Sequence, residues 1–163
     1  MIRKKICLLG SFAVGKTSLV KRFVYSEFSE RYQTTVGVKV DKRVVQVGDH
    51  EVSLVIWDLH GEDRWQGVRS SYLRGASGAL LVADGTRFET LEVVRGLSQK
   101  LWETSPDAQV RVLVNKVDLL DSFAIPKSEW EARIDWAPVA FTSAKTGEGV
   151  EAAFQSLAEE GLV

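Results

Sequence analysis

Ile6-Cys7-Leu8-Leu9-Gly10-Ser11-Phe12-Ala13-Val14-Gly15-Lys16-Thr17-Ser18 opens as a buried apolar strand and passes through a loop with glycine at both ends. It then enters a stretch whose apolar residues Leu19, Val20, Phe23 and Val24 recur at helical spacing. Glycine, four residues, then Gly-Lys-Thr, set between a strand and a helix, is the pattern of a loop that cradles phosphates. Backbone N–H groups around Gly15 and the positive end of the helix can meet α- and β-phosphate oxygens. Lys16 can neutralise β- and γ-oxygens, and the Thr17 hydroxyl can bind Mg²⁺. An ordinary glycine turn could carry the same glycines, but the flanking strand and helix argue against it.

On either side of this loop, between Lys4 and Val163, short β-branched runs alternate with helix-period stretches, with neither an internal repeat nor a Pro/Ser-rich linker. After Ile6–Leu9, the runs 38–47 and 52–57 are joined at Gly48-Asp49, a connection that suits an antiparallel hairpin. Runs at 79–83, 110–114 and 138–141 alternate with helices marked by Leu91, Val94, Leu97 and Leu101 and by Val150, Ala153, Phe154 and Leu157. The right-handed crossover rule makes these strands parallel neighbours. The order predicts an α/β fold over 1–163 as a single domain: a mostly parallel six-stranded sheet, one antiparallel strand, helices on both faces.

The 163 residues fit one core, and 45% hydrophobic with 26% charged residues is an ordinary globular composition. A net charge of −1 gives no field that favours nucleic acid or an anionic membrane. The single cysteine, Cys7, lies in an apolar run and reads as a buried thiol in a reducing compartment. No apolar stretch approaches the roughly 20 residues that span a bilayer. The end, Glu159-Glu160-Gly161-Leu162-Val163, offers no cysteine to prenylate, and Ile2 stands where an N-myristoylated glycine would be needed. The expectation is a cytoplasmic monomer without a lipid anchor, or a domain excised from a longer chain.

Asn115-Lys116-Val117-Asp118 and Thr142-Ser143-Ala144-Lys145 both leave the carboxyl ends of predicted parallel strands, the edge where open α/β sheets bind ligands. In this order after the phosphate loop they resemble the guanine-specificity motifs of the Ras superfamily. The resemblance implies that Asp118 accepts from the guanine N1–H and 2-amino group, and that Asn115 bonds the base edge and its own loop. Lys116 would lie over the ring and the Ala144 N–H would donate to O6, with Ser143 and Lys145 completing the loop. It also assigns Ser11, Phe12, Ala13, Val14, Gly15, Lys16, Thr17 and Ser18 to phosphate binding. Adenine would present the wrong edge to Asp118, so GTP and GDP are the expected ligands rather than ATP.

Asp58-Leu59-His60-Gly61 resembles the family's Asp-x-x-Gly, in which Asp58 holds Mg²⁺ through water and the Gly61 N–H bonds the γ-phosphate. Thr35 lies 18 positions after Thr17, the family's separation, and would add its hydroxyl to Mg²⁺ ahead of Thr34. The expected metal set is therefore Thr17, Thr35 and Asp58, and Lys16, Thr35, Gly61 and Glu62 are the expected catalytic residues. Phe28 and Tyr32 fall where the family packs an aromatic on the nucleoside and covers the γ-phosphate, although simple packing explains Tyr32 equally well. Trp57-Asp58, Arg64-Trp65 and 71–76 are most similar to the Rab branch. Loops 28–37 and 59–74 would change order with the γ-phosphate and present a surface to effector and regulatory proteins. Trp57, Trp65 and Tyr72 are anchor candidates for it, and core packing explains them nearly as well.

Two positions depart from the family. Glu62 stands where most members carry the glutamine that orients the attacking water, and a carboxylate brings negative charge toward an anionic transition state. Phe12 occupies a position that is usually small, close to where an activating arginine enters, unless its ring packs without consequence. Neither His60, which precedes Gly61, nor His50, beside the hairpin turn, matches a catalytic histidine. The sequence supports a GTPase switch with slow intrinsic hydrolysis, or a pseudo-GTPase scaffold that binds guanine nucleotide without efficient turnover. An assembly or translation GTPase lacks support, since no second domain or basic surface is present.

Overall fold

The computed structural model of the chain describes residues 1–29, 37–59 and 68–162. Strand β1 (Ile2–Gly10) leads into helix α1 (Lys16–Tyr25), followed by β2 (Val38–Val47) and β3 (His50–Leu59). After the short helix α2 (Ser70–Leu73) come β4 (Gly78–Asp84), α3 (Thr90–Thr104) and β5 (Gln109–Asn115). A 3₁₀ segment (Val117–Ser122), α4 (Lys127–Arg133), β6 (Val139–Thr142) and α5 (Val150–Glu159) complete the described elements.

The six strands form one sheet in the order β2-β3-β1-β4-β5-β6. Only β2 and β3 pair antiparallel, with Val47 opposite His50 across the Gly48-Asp49 turn; the other pairs are parallel. Gly48 supplies the positive φ (56°) that a two-residue hairpin turn demands. The architecture is the α/β one expected from the alternation of runs: 6–9, 52–57, 79–83 and 110–114 fall in the largely buried stretches of β1, β3, β4 and β5, whereas 38–47 is the more exposed β2 and Pro138 falls just before β6. Strands extend beyond those runs because pairing is a backbone property: β1 begins at Ile2, through the charged Arg3-Lys4-Lys5, and β3 takes in His50, Glu51, Asp58 and Leu59. His50 is exposed.

Alternation along the central strands sends successive side chains to opposite faces. Ile6, Leu8, Leu80 and Val82 face one core layer, covered by α1 and α5 through Leu19, Phe23, Ala153 and Phe154. Cys7, Leu9, Ala79 and Leu81 face the other, covered by α3 and α4 through Leu91, Val94, Leu97 and Trp130. The rings of Phe23 and Phe154 stack with centroids 4.0 Å apart. Arg43 lies over Phe23 (4.3 Å) and reaches both carboxylate oxygens of Glu151 at 2.8 Å, tying β2 to α5.

The carboxyl ends of β4, β5 and β6 finish in one register row, with Asp84 beside Asn115 and Asn115 beside Thr142. On the other side of the sheet centre, Gly10 ends β1 beside Val82 and Asp58 pairs with Leu8. The loops that leave β1, β3, β5 and β6 at this edge begin with polar residues named by the sequence motifs, whereas the loop after β4 carries none of them.

Cys7 has no exposed surface, and its thiol donates to the Tyr72 carbonyl (3.6 Å). Burial pushes the thiol up to about 12, against the opposing influence of the Lys5 charge. In native buffer at pH 8 a disulfide reagent should therefore label the chain only as fast as the sheet opens, whereas in denaturant it should label one thiol at once. Because the unfolded thiol ionises near 9 and the folded one near 12, this site's contribution to stability is complete below pH 9 and is lost as pH rises toward 12. Rapid stoichiometric labelling of the native chain would contradict the buried placement.

Candidate functional site

The phosphate loop is shaped by contacts that admit only glycine at its two ends. A Cβ on Gly10 would lie 2.3 Å from the Val82 carbonyl oxygen, and one on Gly15 would lie 2.4 Å from Asn115 Nδ2. Gly15 also takes φ 106° as the residue that enters α1, and Ala13 sits at φ 63°. Ser11 and Val14 are buried, and Ser18 is half-buried in the first turn of α1. Phe12 is 40% exposed.

Lys16 is almost fully buried, with Nζ donating to the carbonyls of Gly10 and Ser11 at 3.1 Å each. Burial lowers its pKa to about 8, Asp58 opposes the fall and the charge of Arg87 adds to it. A buried ammonium among neutral carbonyls is poorly compensated, and a phosphate at the start of α1 is the group that would compensate it. The Thr17 hydroxyl donates to Asp58 Oδ2 at 2.6 Å, and Asp58 is 1% exposed. A hydroxyl and a carboxylate side by side at a phosphate loop are the hard oxygen donors that Mg²⁺ takes, so these residues fit the metal.

On the base side, Asn115 is 2% exposed. Its Nδ2 donates to the Val14 carbonyl at 2.9 Å, and its Oδ1 accepts from the Thr142 hydroxyl at 2.9 Å. Asp118 lies in the first turn of the 3₁₀ segment, and its Oδ1 accepts from Ser143 Oγ at 2.7 Å. Asp118 is exposed, so the penalty for a mismatched base develops only once a base covers this carboxylate. Lys116, at φ 74°, extends to Asp84 with Nζ 2.8 Å from Oδ2. Ser143 is fully buried and its Oγ also accepts from the Thr146 N–H (3.1 Å), which closes the turn that carries Ala144 and Lys145. Phe28 packs against the core layer of α1 and α5.

Four residues of the site were given no role by the sequence reading. Arg22, on α1, donates from Nε to the Ala144 carbonyl at 2.8 Å and from Nη2 to the Lys145 carbonyl. In a trans peptide the C=O and the following N–H point opposite ways, so this grip fixes which way the loop's donors face. Thr142 locks Asn115. Asp84, 1% exposed, accepts from Lys116, from Arg87 Nε (3.2 Å) and from the Thr86 N–H and hydroxyl (2.9 and 2.7 Å). Arg87 in turn donates from Nη2 to the Phe12 carbonyl at 2.6 Å. A carboxylate directly after the apolar run 79–83, at the carboxyl end of a central strand, was the signal available for Asp84.

Trp57 and Tyr72 stand apart from this cluster. Their rings are 6.4 Å apart, both pack partly against the second core layer, and Lys5 Nζ lies 3.9 Å over Trp57. Tyr32, Thr34, Thr35, His60, Gly61, Glu62, Arg64 and Trp65 lie outside the described residues.

Comparison with known proteins agrees with this geometry. A profile described as the Ras family matches residues 5–162. The chain is 38% identical over 161 residues to the Ras-related protein Rab-24 of Dictyostelium discoideum, covering 96% of this chain and 79% of that protein. It is 38% identical over 159 residues to human Ras-related protein Rab-25, covering 96% and 75%. It is also 38% identical over 159 residues to the Ras-related protein RABA5b of Arabidopsis thaliana, covering 96% and 73%. With a phosphate loop, two base-side loops and a sheet order that brings them to one edge, and with this match over nearly its whole length, the chain belongs to the Ras family and is Rab-like.

Proposed function

We propose that this chain is a Mg²⁺-dependent guanine-nucleotide switch that hydrolyses GTP slowly on its own. The observation that carries the reading is Asn115, whose one side chain joins the phosphate loop at Val14 to the end of β6 at Thr142. The loop suited to phosphates and the loops suited to a purine thereby become one site. Asp118 is the acceptor for the guanine N1–H and 2-amino group, while Ser143 holds its other side. Lys16, whose ammonium has three donors, two of them given to the Gly10 and Ser11 carbonyls, neutralises β- and γ-phosphate oxygens. Mg²⁺, when bound, would supply charge neutralisation at the phosphates. Thr17, Asp58 and Thr35 are the residues that would hold it, and the Gly61 N–H would read the γ-phosphate.

Loops 28–37 and 59–74 are the proposed response elements toward effectors and regulators, with Trp57 and Tyr72 beside them as half-exposed aromatic anchors. The lone buried thiol suits a cytoplasmic setting. Glu62 and the bulk of Phe12 at a position that is usually small favour slow chemistry, and at the limit of no turnover the same site would act as a nucleotide-stabilised scaffold.

Exchanging Asp118→Asn replaces an acceptor by a donor and should move preference from guanine toward xanthine nucleotides. Competition between GDP and XDP for the variant measures this, and an unchanged preference would remove Asp118 from base reading.

Hydrolysis has its own test in Glu62→Gln, Phe12→Gly and the double variant, each compared with wild type by single-turnover phosphate release from Mg²⁺-GTP. Glu62→Gln restores an amide donor and should accelerate release about tenfold, equal to about 1.4 kcal/mol of barrier, with nucleotide affinity little changed. The double variant reveals whether Phe12 masks part of the gain. Equal rates in all four proteins would refute the slow-hydrolysis reading. Turnover absent from all four would favour the scaffold.

A further inference from the structure

Asp84 gathers four donors that no motif assigns to a common purpose. Both cations, Lys116 Nζ at 2.8 Å and Arg87 Nε at 3.2 Å, approach the same oxygen, Oδ2. The Thr86 N–H and hydroxyl occupy Oδ1 at 2.9 and 2.7 Å. The carboxylate is 1% exposed, yet the Arg87 and Lys116 side chains that reach it are each 33% exposed. Burial pushes its pKa up, but the hydrogen bonds from Lys116 and Thr86 outweigh this and hold it below the usual carboxylate value. Asp84 is therefore a fixed anion at the end of β4, in the same register row as Asn115.

What Arg87 does with its other end gives the arrangement a direction. Its Nη2 donates to the Phe12 carbonyl at 2.6 Å, a charge-assisted bond to the backbone of the phosphate loop. The C=O of Phe12 and the N–H of Ala13 belong to one trans peptide and point opposite ways. Gripping the carbonyl therefore fixes the Ala13 N–H on the other side of the loop, with Ala13 already at φ 63°. Because a backbone atom is held, the grip does not depend on the side chain at position 12. One buried carboxylate thus steadies Lys116 on the base side and, through Arg87, the loop on the phosphate side.

We infer that Asp84 and Arg87 are a positioning pair that locks the phosphate loop to the base loop, so that guanine nucleotide leaves only when the pair opens. This rests on the guanine-nucleotide reading above and adds to it the residues that set the lifetime of the bound state.

The test loads the full chain with a fluorescent GDP analogue in Mg²⁺ buffer and follows its release on adding excess unlabelled GDP. Arg87→Ala should release the analogue about tenfold faster than wild type. Arg87→Lys, which keeps the charge but loses the planar fork, should recover only part of the difference. Asp84→Asn should also accelerate release. If the two residues act as one device, the double variant will be no more than about twofold faster than the faster single variant. Thermal unfolding of nucleotide-free protein separates a purely structural role, since the partly exposed Arg87 should change it little. Release from Arg87→Ala within twofold of wild type overturns the pair, as does a double variant equal to the product of the singles. Should Asp84→Asn fail to fold, the two Arg87 variants decide the question alone. A wild-type chain that retains no guanine nucleotide overturns the functional reading itself, an outcome distinct from normal retention with an inert Arg87→Ala.

Discussion

The Asn115 side chain has one amide nitrogen and one amide oxygen, and both are committed inside the protein, to the Val14 carbonyl and the Thr142 hydroxyl. A buried amide is costly unless it is hydrogen-bonded, so these two bonds must form together. Their geometry requires β5 and β6 to end level, which the pairing of Asn115 with Thr142 provides. It also requires the phosphate loop to come within reach, which in turn requires Gly15, since any Cβ there would collide with the same amide. The rest of the site is assembled around that constraint: the loop rests on β4 through Gly10, α1 begins where the loop ends, and Arg22 on α1 returns to hold the loop after β6.

Electrostatic compensation is uneven across the crevice, and the unevenness is informative. On the base side, the cations Lys116 and Arg87 share the single carboxylate of Asp84. On the phosphate side, Lys16 is held at hydrogen-bond distance by two neutral carbonyl oxygens among the described residues; burial outweighs the partial compensation from Asp58, and the nearby Arg87 charge weighs against it. A protein that keeps an ammonium in such a place retains a site for an anion. The neighbouring Thr17 and Asp58 add hard oxygens beside that anion position, so the charge pattern alone argues for a phosphate and a divalent cation together.

The two core layers do different work for this edge. The α1 and α5 layer is tied to the hairpin by the Arg43–Glu151 pair and the stacked Phe23 and Phe154 rings, which fixes the helix that carries Lys16 and Thr17. The opposite layer buries Cys7 and Leu9 beneath α3 and α4 and leaves Trp57 and Tyr72 half-exposed near the proposed response loops. The site is thus built between a firmly packed face and a face with aromatic surface to spare.

The sequence by itself determined the α/β class, the hairpin at Gly48-Asp49, the phosphate loop and the base loops. Each rests on local chemistry: glycine where backbone must approach closely, alternating apolar residues where a strand is buried, and a fixed spacing of polar residues at strand ends. It did not reveal Arg22, Asp84, Arg87 or Thr142 as members of the site, nor did it show that Asp118 would be exposed. Arg22 lies 122 positions from its Ala144 partner, and Arg87 lies 75 from its Phe12 partner. An arginine on a helix and an aspartate at the end of a strand look the same in sequence whether they face solvent or a distant hydrogen-bond partner. Only the tertiary structure decided which did which, because strand order and register, set by packing over the whole sheet, determine which loop ends meet.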